Sequence, residues 1–315
     1  MNTLRRLSRF LRRLLARKQA VVALIIIGGY VITAINAPVW SPPAKRSDQP
    51  GLNIIGRQSK GVPQPPTDAV RLGTTAEQYD VYHALIWGTR SALRLGLIVA
   101  IGSTIIGTLL GAISGYLGGW FNGVVLRLTD AFLAFPAVIG VLLFLQLFKD
   151  NAPDWLLPPT PVPSLLANAG LNPIMATLIA FSWMPYTRLI NVNIQRLKSA
   201  DYVLAARAVG VKPVRILFRH LLPNAISPAI VLFARDVGGM VIIDAAFAFF
   251  KLGGTVEWGQ LLATNRSWIL GAGGNPLAYW WVYLPFTLAL VVYGVAWGML
   301  GESLNSALNP RENNR

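Results

Sequence analysis

The chain has 315 residues, 54% of them hydrophobic and only 13% charged, against the roughly 25% charge typical of soluble domains. The deficit is gathered into apolar runs approaching the roughly 20 residues that cross a bilayer as helix, which excludes an ordinary soluble globular domain. The net charge of +15 reads as Lys and Arg kept on cytoplasmic loops rather than as a nucleic-acid surface, because the basic residues flank apolar runs. There is no cysteine, and His83 and His220 lie far apart, so neither a disulfide nor a metal or cofactor site is expected.

At the amino terminus Arg5, Arg6, Arg9, Arg12, Arg13, Arg17 and Lys18 alternate with Leu4, Leu7, Phe10, Leu11, Leu14 and Leu15. Apolar spacings of three and four put a greasy stripe opposite a basic one, which predicts an amphipathic interfacial helix over 1–19. A first transmembrane helix follows over 20–40, then an external Pro-rich segment over 41–82 with Pro42, Pro43, Pro63, Pro65 and Pro66. The permease core, 83–308, is predicted to hold five more spans, over 95–117, 124–147, 173–192, 226–250 and 281–304. Residues 309–315 form a short tail. The fold class is therefore all-α and polytopic, with about six transmembrane helices.

The basic residues give an orientation. The amino terminus, the tail with Arg311 and Arg315, and the connection between spans four and five all fall on one side of a six-span chain. That connection carries Arg196, Lys198, Arg207, Lys212, Arg215 and Arg219 against the single acid Asp201, so the shared side is cytoplasmic. Trp155, Trp258, Trp268, Trp280 and Trp281 are placed in outer loops, where indoles ordinarily anchor at the headgroup level.

The connection 196–224 is the most informative stretch. Ser199 or Asp201 can cap a short helix, Gly210 suits the left-handed position that ends it, and Pro213 fits the first turn of a second helix. Pro223 is expected to break that second helix before span five. Ala205, Ala206 and Ala208 offer a small-residue face ringed by Arg207, Arg215 and Arg219.

This segment resembles the coupling motif, the EAA loop, of binding-protein-dependent ABC import permeases. More narrowly it is similar to the C-type subunit of the branch serving dipeptides, oligopeptides and nickel. Ala205, Ala206, Gly210 and Pro223 match the motif's spacing, and Leu204 stands where its name puts glutamate. The runs from Gly115 through Asp130 to Pro136, from Asp244 to Gly259, and from Gly301 to Arg311 resemble further parts of the family in the same order. The resemblance implies a bacterial or archaeal cytoplasmic-membrane subunit of a type I importer. It implies a second homologous permease, two cytoplasmic ATPase subunits and an extracytoplasmic solute-binding protein. Asp201, Ala205, Ala206, Arg207, Gly210, Arg215, Arg219 and Pro223 would then meet the ATPase.

No phosphate-cradling Gly-x-x-x-x-Gly-Lys-Ser/Thr motif occurs, so the work comes from another polypeptide and the chain itself is not expected to be an enzyme. Arg127, Asp130, Arg188, Arg235, Asp236, Asp244 and Glu302 fall within or at the ends of spans, where charge faces protein or water. Arg127 and Asp130 are three apart and could pair on one helix face. The alternative function is a secondary, ion-coupled transporter in which Asp130, Asp236 or Asp244 carries a proton or sodium ion.

Overall fold

The computed structural model describes residues 10–44, 49–55, 61–134, 139–141, 171–269 and 275–308. Residues 10–15 are helical, and the predicted amphipathic residues 1–9 lie outside the described residues. The helices that follow are α1 (Lys18–Trp40), α2 (Val81–Leu117), α3 (Gly119–Ala134), α4 (Pro173–Ala180), α5 (Met184–Leu197), α6 (Asp201–Ala208), α7 (Pro213–Ala225), α8 (Ser227–Phe249), α9 (Glu257–Thr264), α10 (Arg266–Ile269) and α11 (Trp280–Leu308). Among the described residues there are only isolated β-bridges and no strand. The chain is thus all-α, as its composition predicts.

Among the described residues three segments, Lys18–Trp40, Val81–Leu117 and Leu277–Leu308, are long and apolar enough to cross a membrane, and α7 with α8 makes a fourth if the pair is one bent span. The third predicted span, 124–147, coincides with α3 and residues 139–141, and its remainder lies outside the described residues. The fourth, 173–192, is broken into α4 and α5 at residues 181–183. Pro185, in the first turn of α5, explains the interruption: it has no amide hydrogen to continue the ladder, and its ring crowds the carbonyl a turn earlier.

The chain divides into two compact units, with the division falling inside α2, α8 and α11. One unit comprises residues 17–97 and 237–300. Here α2 begins at Val81, well before the predicted span start at Leu95. The early turns escape an apolar-run reading because they carry His83, Thr89, Arg90, Ser91 and Arg94. The Pro-rich segment supplies partners for this polar end: Ser41 and His83 share a 2.6 Å hydrogen bond, and the other ring nitrogen of His83 lies 2.8 Å from the Pro50 carbonyl. Trp87 donates to the Ser41 carbonyl at 2.9 Å.

The Pro-rich segment is folded against its own unit rather than a bare spacer. Trp281 donates to the Thr74 carbonyl, Asn265 accepts from the Ala76 amide at 2.9 Å, and Gln78, with φ +63°, is buried while donating to Val62. The polar ends of α9 and α11 therefore pin the turn around residues 75–78. Two of the tryptophans assigned to the headgroup level are core residues instead. Trp258 is fully buried, donates to the Leu85 carbonyl at 3.1 Å and packs edge-on to Tyr30 and Tyr293. Trp281 is buried as well, while Trp280 and Trp268 keep exposed surface. Trp155 lies outside the described residues.

The other unit comprises residues 1–16, 98–236 and 301–315. Its spine is a close approach of α2 to α5. A Cβ placed on Gly107, Gly111 or Gly115 would sit 2.3, 2.4 or 2.9 Å from the carbonyl oxygens of Trp183, Thr187 and Asn191 respectively. Both series advance by four residues, so one glycine ridge of α2 runs along one backbone ridge of α5, the small-residue contact that lets membrane helices pack tightly. Thr187 donates to the Gly107 carbonyl at 3.2 Å, and Asn191 donates to Ser114 at 2.8 Å and to Asn122 at 2.6 Å.

Candidate functional site: the elbow and the charged residues of the spans

Helix α6 is short, and its ends show how the elbow is made. Its N-cap is Ala200, with no side-chain cap; Ser199 turns back to the Arg196 carbonyl, and Asp201 sits in the first turn. Neither residue caps as the sequence suggested, although a carboxylate in the first turn still favours the helix dipole. At the other end Gly210 has φ +75°. Its amide donates to Arg207 at 2.9 Å and the Val211 amide donates to Ala206 at 3.1 Å, the paired bonds of a Schellman stop with glycine in the left-handed position.

Pro213 then opens α7 at its first position, as expected. Pro223 does not end that helix. Residues Ile216–Leu221 wind more widely, with the Leu222 amide reaching back five residues to Leu217, and Pro223 follows inside the continuing helix. The wider turn gives the proline ring room, and Asn224 donates its side-chain amide to His220 at 2.6 Å. The change of direction comes at Ile226, where α7 and α8 meet at 59°. Pro228, in the first turn of α8, lacks the amide that would carry the ladder across.

The elbow has two faces. Val203, Ile216, Leu217 and Leu221 are buried in one cluster with Ala112 of α2 and Tyr186, Ile190 and Ile194 of α5, and Ala206 and Val211 pack on its edge. Outward lie Tyr202, Leu204, Ala205, Ala208, Val214 and Phe218, all exposed, with Val209 at 79% exposure. Arg207, Lys212, Arg215 and Arg219 surround that apolar crown and are exposed too. The Arg207 guanidinium and the Lys198 ammonium both lie over the Tyr116 ring, at 5.8 and 5.6 Å, and Lys198 also donates to the Tyr116 carbonyl. Exposed apolar residues with a charged rim on a buried base are the kind of surface at which proteins interact.

The charges expected within the spans are partnered differently from the sequence expectation. Asp130 forms its ion pair with Arg188 of α5, not with Arg127, which is exposed and makes no ion pair among the described residues. Spacing along one helix could not reveal a partner 58 positions away. Asp236 accepts the Tyr186 hydroxyl at 2.7 Å, while its neighbour Arg235 is exposed and its side chain runs across Gly301. Asp244 is fully buried, in the other unit, and accepts from the Thr255 amide, the Thr255 hydroxyl and the Val256 amide at 3.0–3.2 Å.

Asp244 thereby folds the chain after α8 back on itself. Positions where a Cβ would fall on Ala248 and Ala245 are Gly254 and Gly259, so the return strand of chain lies directly on the end of α8. Beside this turn, within the same unit, is a cavity of about 660 Å³ whose lining includes Glu77, Lys251, Gln260, Thr264 and Arg266 along with Ala248 and Ala263. Burial pushes the Glu77 carboxyl up from its ordinary value. The Gly107–Gly111–Gly115 ridge is the element that sequence reasoning passed over, although its spacing of four inside an apolar run was the signal.

Long apolar helices and a glycine-packed contact between them mark an all-α polytopic membrane protein. Residues 107–314, well over half of the chain, match the family described as binding-protein-dependent transport system inner membrane component, and the chain belongs to that family. It is 30% identical over 305 residues to the dipeptide transport system permease protein DppC of Alkalihalophilus pseudofirmus, covering 95% of this chain and 88% of that one. It is 29% identical over 305 residues to the glutathione transport system permease protein GsiD of Pectobacterium atrosepticum, covering 96% and 90%. With the GsiD of Escherichia coli the identity is 30% over 235 residues, covering 74% and 69%. The chain is a permease subunit of a binding-protein-dependent ABC importer. Such permeases work with separate ATPase and substrate-binding subunits.

Proposed function

We propose that this subunit carries peptides, or closely related small solutes, inward across a cytoplasmic membrane as half of a permease heterodimer. Relatives named for dipeptide and glutathione transport support the substrate class. Both termini and the elbow lie in the cytoplasm, an orientation supported by the basic residues of 196–224. One of two ATPase subunits grips the crown made by Asp201, Ala205, Arg207, Gly210, Arg215 and Arg219, with Ala206 at its inner edge and Pro223 shaping the helix behind it. A solute-binding protein delivers cargo at the opposite side.

One observation carries this reading: the crown is exposed while its base is locked into α2 and α5 through Ile216, Leu217 and Leu221. Closure of the ATPases on ATP would move the crown, and the buried base would pass that motion to α5 as a rigid-body shift. The division of the chain from 1–19 through 309–315 follows the same plan: interfacial helix, first span, external segment, core and tail.

The test is purification through the carboxyl terminus, followed by reconstitution. Recovery of a sister permease with two ATPase copies, and ATP-dependent uptake of a labelled dipeptide supplied with the binding protein, is the expected result. Uptake that survives ATP depletion and collapses with the ion gradient would assign the chain to ion-coupled transport instead. Labelling of an Arg215→Cys variant only from the outer side would overturn the orientation and the elbow's role together.

A further inference from the structure

We infer that Asp236, held by Tyr186, is the pathway carboxylate that receives the cationic group of the solute in transit. The inference rests on the peptide-importer reading, whose substrates carry a free ammonium group.

Several charged residues of one unit share a level. At 1.5 Å per residue, Arg127 and Asp130 lie about 12 and 17 Å along α3 from Gly119. Arg188 lies about 14 Å along α5 from Leu197, and Arg235 and Asp236 about 12 and 14 Å along α8 from Ser227. On the proposed orientation all three of these helix ends are cytoplasmic. The ion pair of Arg188 with Asp130 ties α3 to α5, and the bond of Tyr186 with Asp236 ties α5 to α8. On that orientation the five charged side chains lie at similar distances from the cytoplasmic ends of their helices, and two cross-helix contacts join three of those helices.

These side chains cannot face hydrocarbon. Arg127, Asp130, Arg188 and Arg235 are exposed on this chain and Asp236 is half-buried. Charged groups at such depth turn to protein or to water. A separate observation favours water. The break between α4 and α5, at residues 181–183, lies next to Tyr186, and non-helical backbone at membrane depth occurs where it is enclosed by protein or lines an aqueous cavity.

Among these five Asp236 is the group fitted to bind a cation. One of its oxygens takes the Tyr186 hydroxyl, and the other accepts no hydrogen bond among the described residues. Tyr186 is fully buried and belongs to the same cluster as Ile216, Leu217 and Leu221 of the elbow. The residue that aims the carboxylate is therefore packed on the element the ATPase moves, so the site's orientation follows the power stroke.

The chain has no cysteine, so Asp236→Cys in the complete transporter gives a single thiol on this subunit. In inside-out vesicles a cationic methanethiosulfonate reagent is expected to modify it, to an extent that differs between nucleotide-free and ATP-bound states. A thiol untouched in both states is sealed by the sister subunit or lipid, and the inference fails. In proteoliposomes, Asp236→Asn is expected to lower uptake of a free-amino dipeptide relative to its N-acetylated form about tenfold, the scale of one charge-assisted hydrogen bond. Asp236→Glu is expected to restore that ratio. Parallel loss of both uptakes with ATP hydrolysis would mark a purely structural carboxylate and overturn the proposal. Wild-type uptake of neither peptide overturns the peptide reading and this inference with it, whereas peptide uptake indifferent to Asp236→Asn overturns the inference alone.

Discussion

The Asp244 carboxylate accepts the Val256 amide hydrogen at 3.0 Å, joining the end of α8 to the start of α9 twelve residues on. Two further donors from Thr255 complete its shell, in a position with no exposed surface. A carboxylate so engaged has little capacity left for a carried ion, and its work is to close a turn. Removing it strands the buried Val256 amide and the part-buried amide and hydroxyl of Thr255. Asp244→Ala is expected to cost about 2–4 kcal/mol, the range for buried donors left unsatisfied around a lost charged acceptor. Thermal unfolding of the purified complex in detergent should show the loss, and limited proteolysis should open first near residues 251–256. Wild-type stability in Asp244→Ala would show that the turn holds by other means.

Gly210 presents a different case, because nothing lies within 4 Å of a Cβ built there. Its φ of +75° alone makes the position selective. A β-branched residue in the left-handed region costs roughly 1–2 kcal/mol, enough to unwind the stop between Ala206 and Val211. Gly210→Val is therefore expected to reduce ATP-driven uptake strongly while ATP hydrolysis continues, and Gly210→Asn, which tolerates that conformation, to stay near wild type. Measuring uptake and hydrolysis in the same proteoliposomes separates the two. Equal behaviour of Val and Asn would deny the elbow's geometry a part in coupling.

Gly210 and Pro213 were legible in the sequence because their roles depend on backbone dihedrals within a few residues. The pairing of Asp130 with Arg188 was not, since a helical repeat reports neighbours three or four apart and nothing about another span. Trp258 misleads for a related reason. An indole between two spans suits an interface anchor and a buried core equally, and only the fold brings Leu85, Tyr30 and Tyr293 around it. The early turns of α2 were hidden by their polarity, which the Pro-rich segment answers with Ser41 and Pro50. Pro223 shows the converse: a local rule predicted a break, and a wider helical turn from Ile216 to Leu221 absorbed it.

The ridge of Gly107, Gly111 and Gly115 should be the least forgiving part of the bundle. A methyl group on Gly111 would stand 2.4 Å from the Thr187 carbonyl oxygen, which belongs to helix backbone and cannot rotate aside. Gly111→Ala is expected to cost about 1–3 kcal/mol as overpacking, and Gly111→Leu to prevent recovery of folded subunit. Gly28→Ala, where a Cβ meets nothing within 4 Å, serves as the control and should be neutral. Fluorescence-detected size-exclusion of the three variants gives the comparison. Indifference of Gly111→Leu would mean that α2 and α5 are not in contact.

The crown of the elbow can be tested without touching its base. Val209 is 79% exposed and caps α6 without entering the buried cluster that anchors the elbow. Replacing it with aspartate costs the folded subunit little, because surface substitutions away from buried features usually change stability by within about 0.5 kcal/mol. An apolar contact desolvated in a complex is another matter, since an unpaired carboxylate would have to be stripped of water there. Val209→Asp is thus expected to leave the melting temperature of the isolated subunit unchanged, while co-purification of the ATPase falls by about tenfold or more, equivalent to about 1.4 kcal/mol. Lys212→Glu, on the charged rim, should weaken the same association less, and more at low salt than at high, because exposed charges are screened within about 10 Å at 0.1 M salt. Retention of the ATPase by both variants would place the motor's grip elsewhere on the cytoplasmic face.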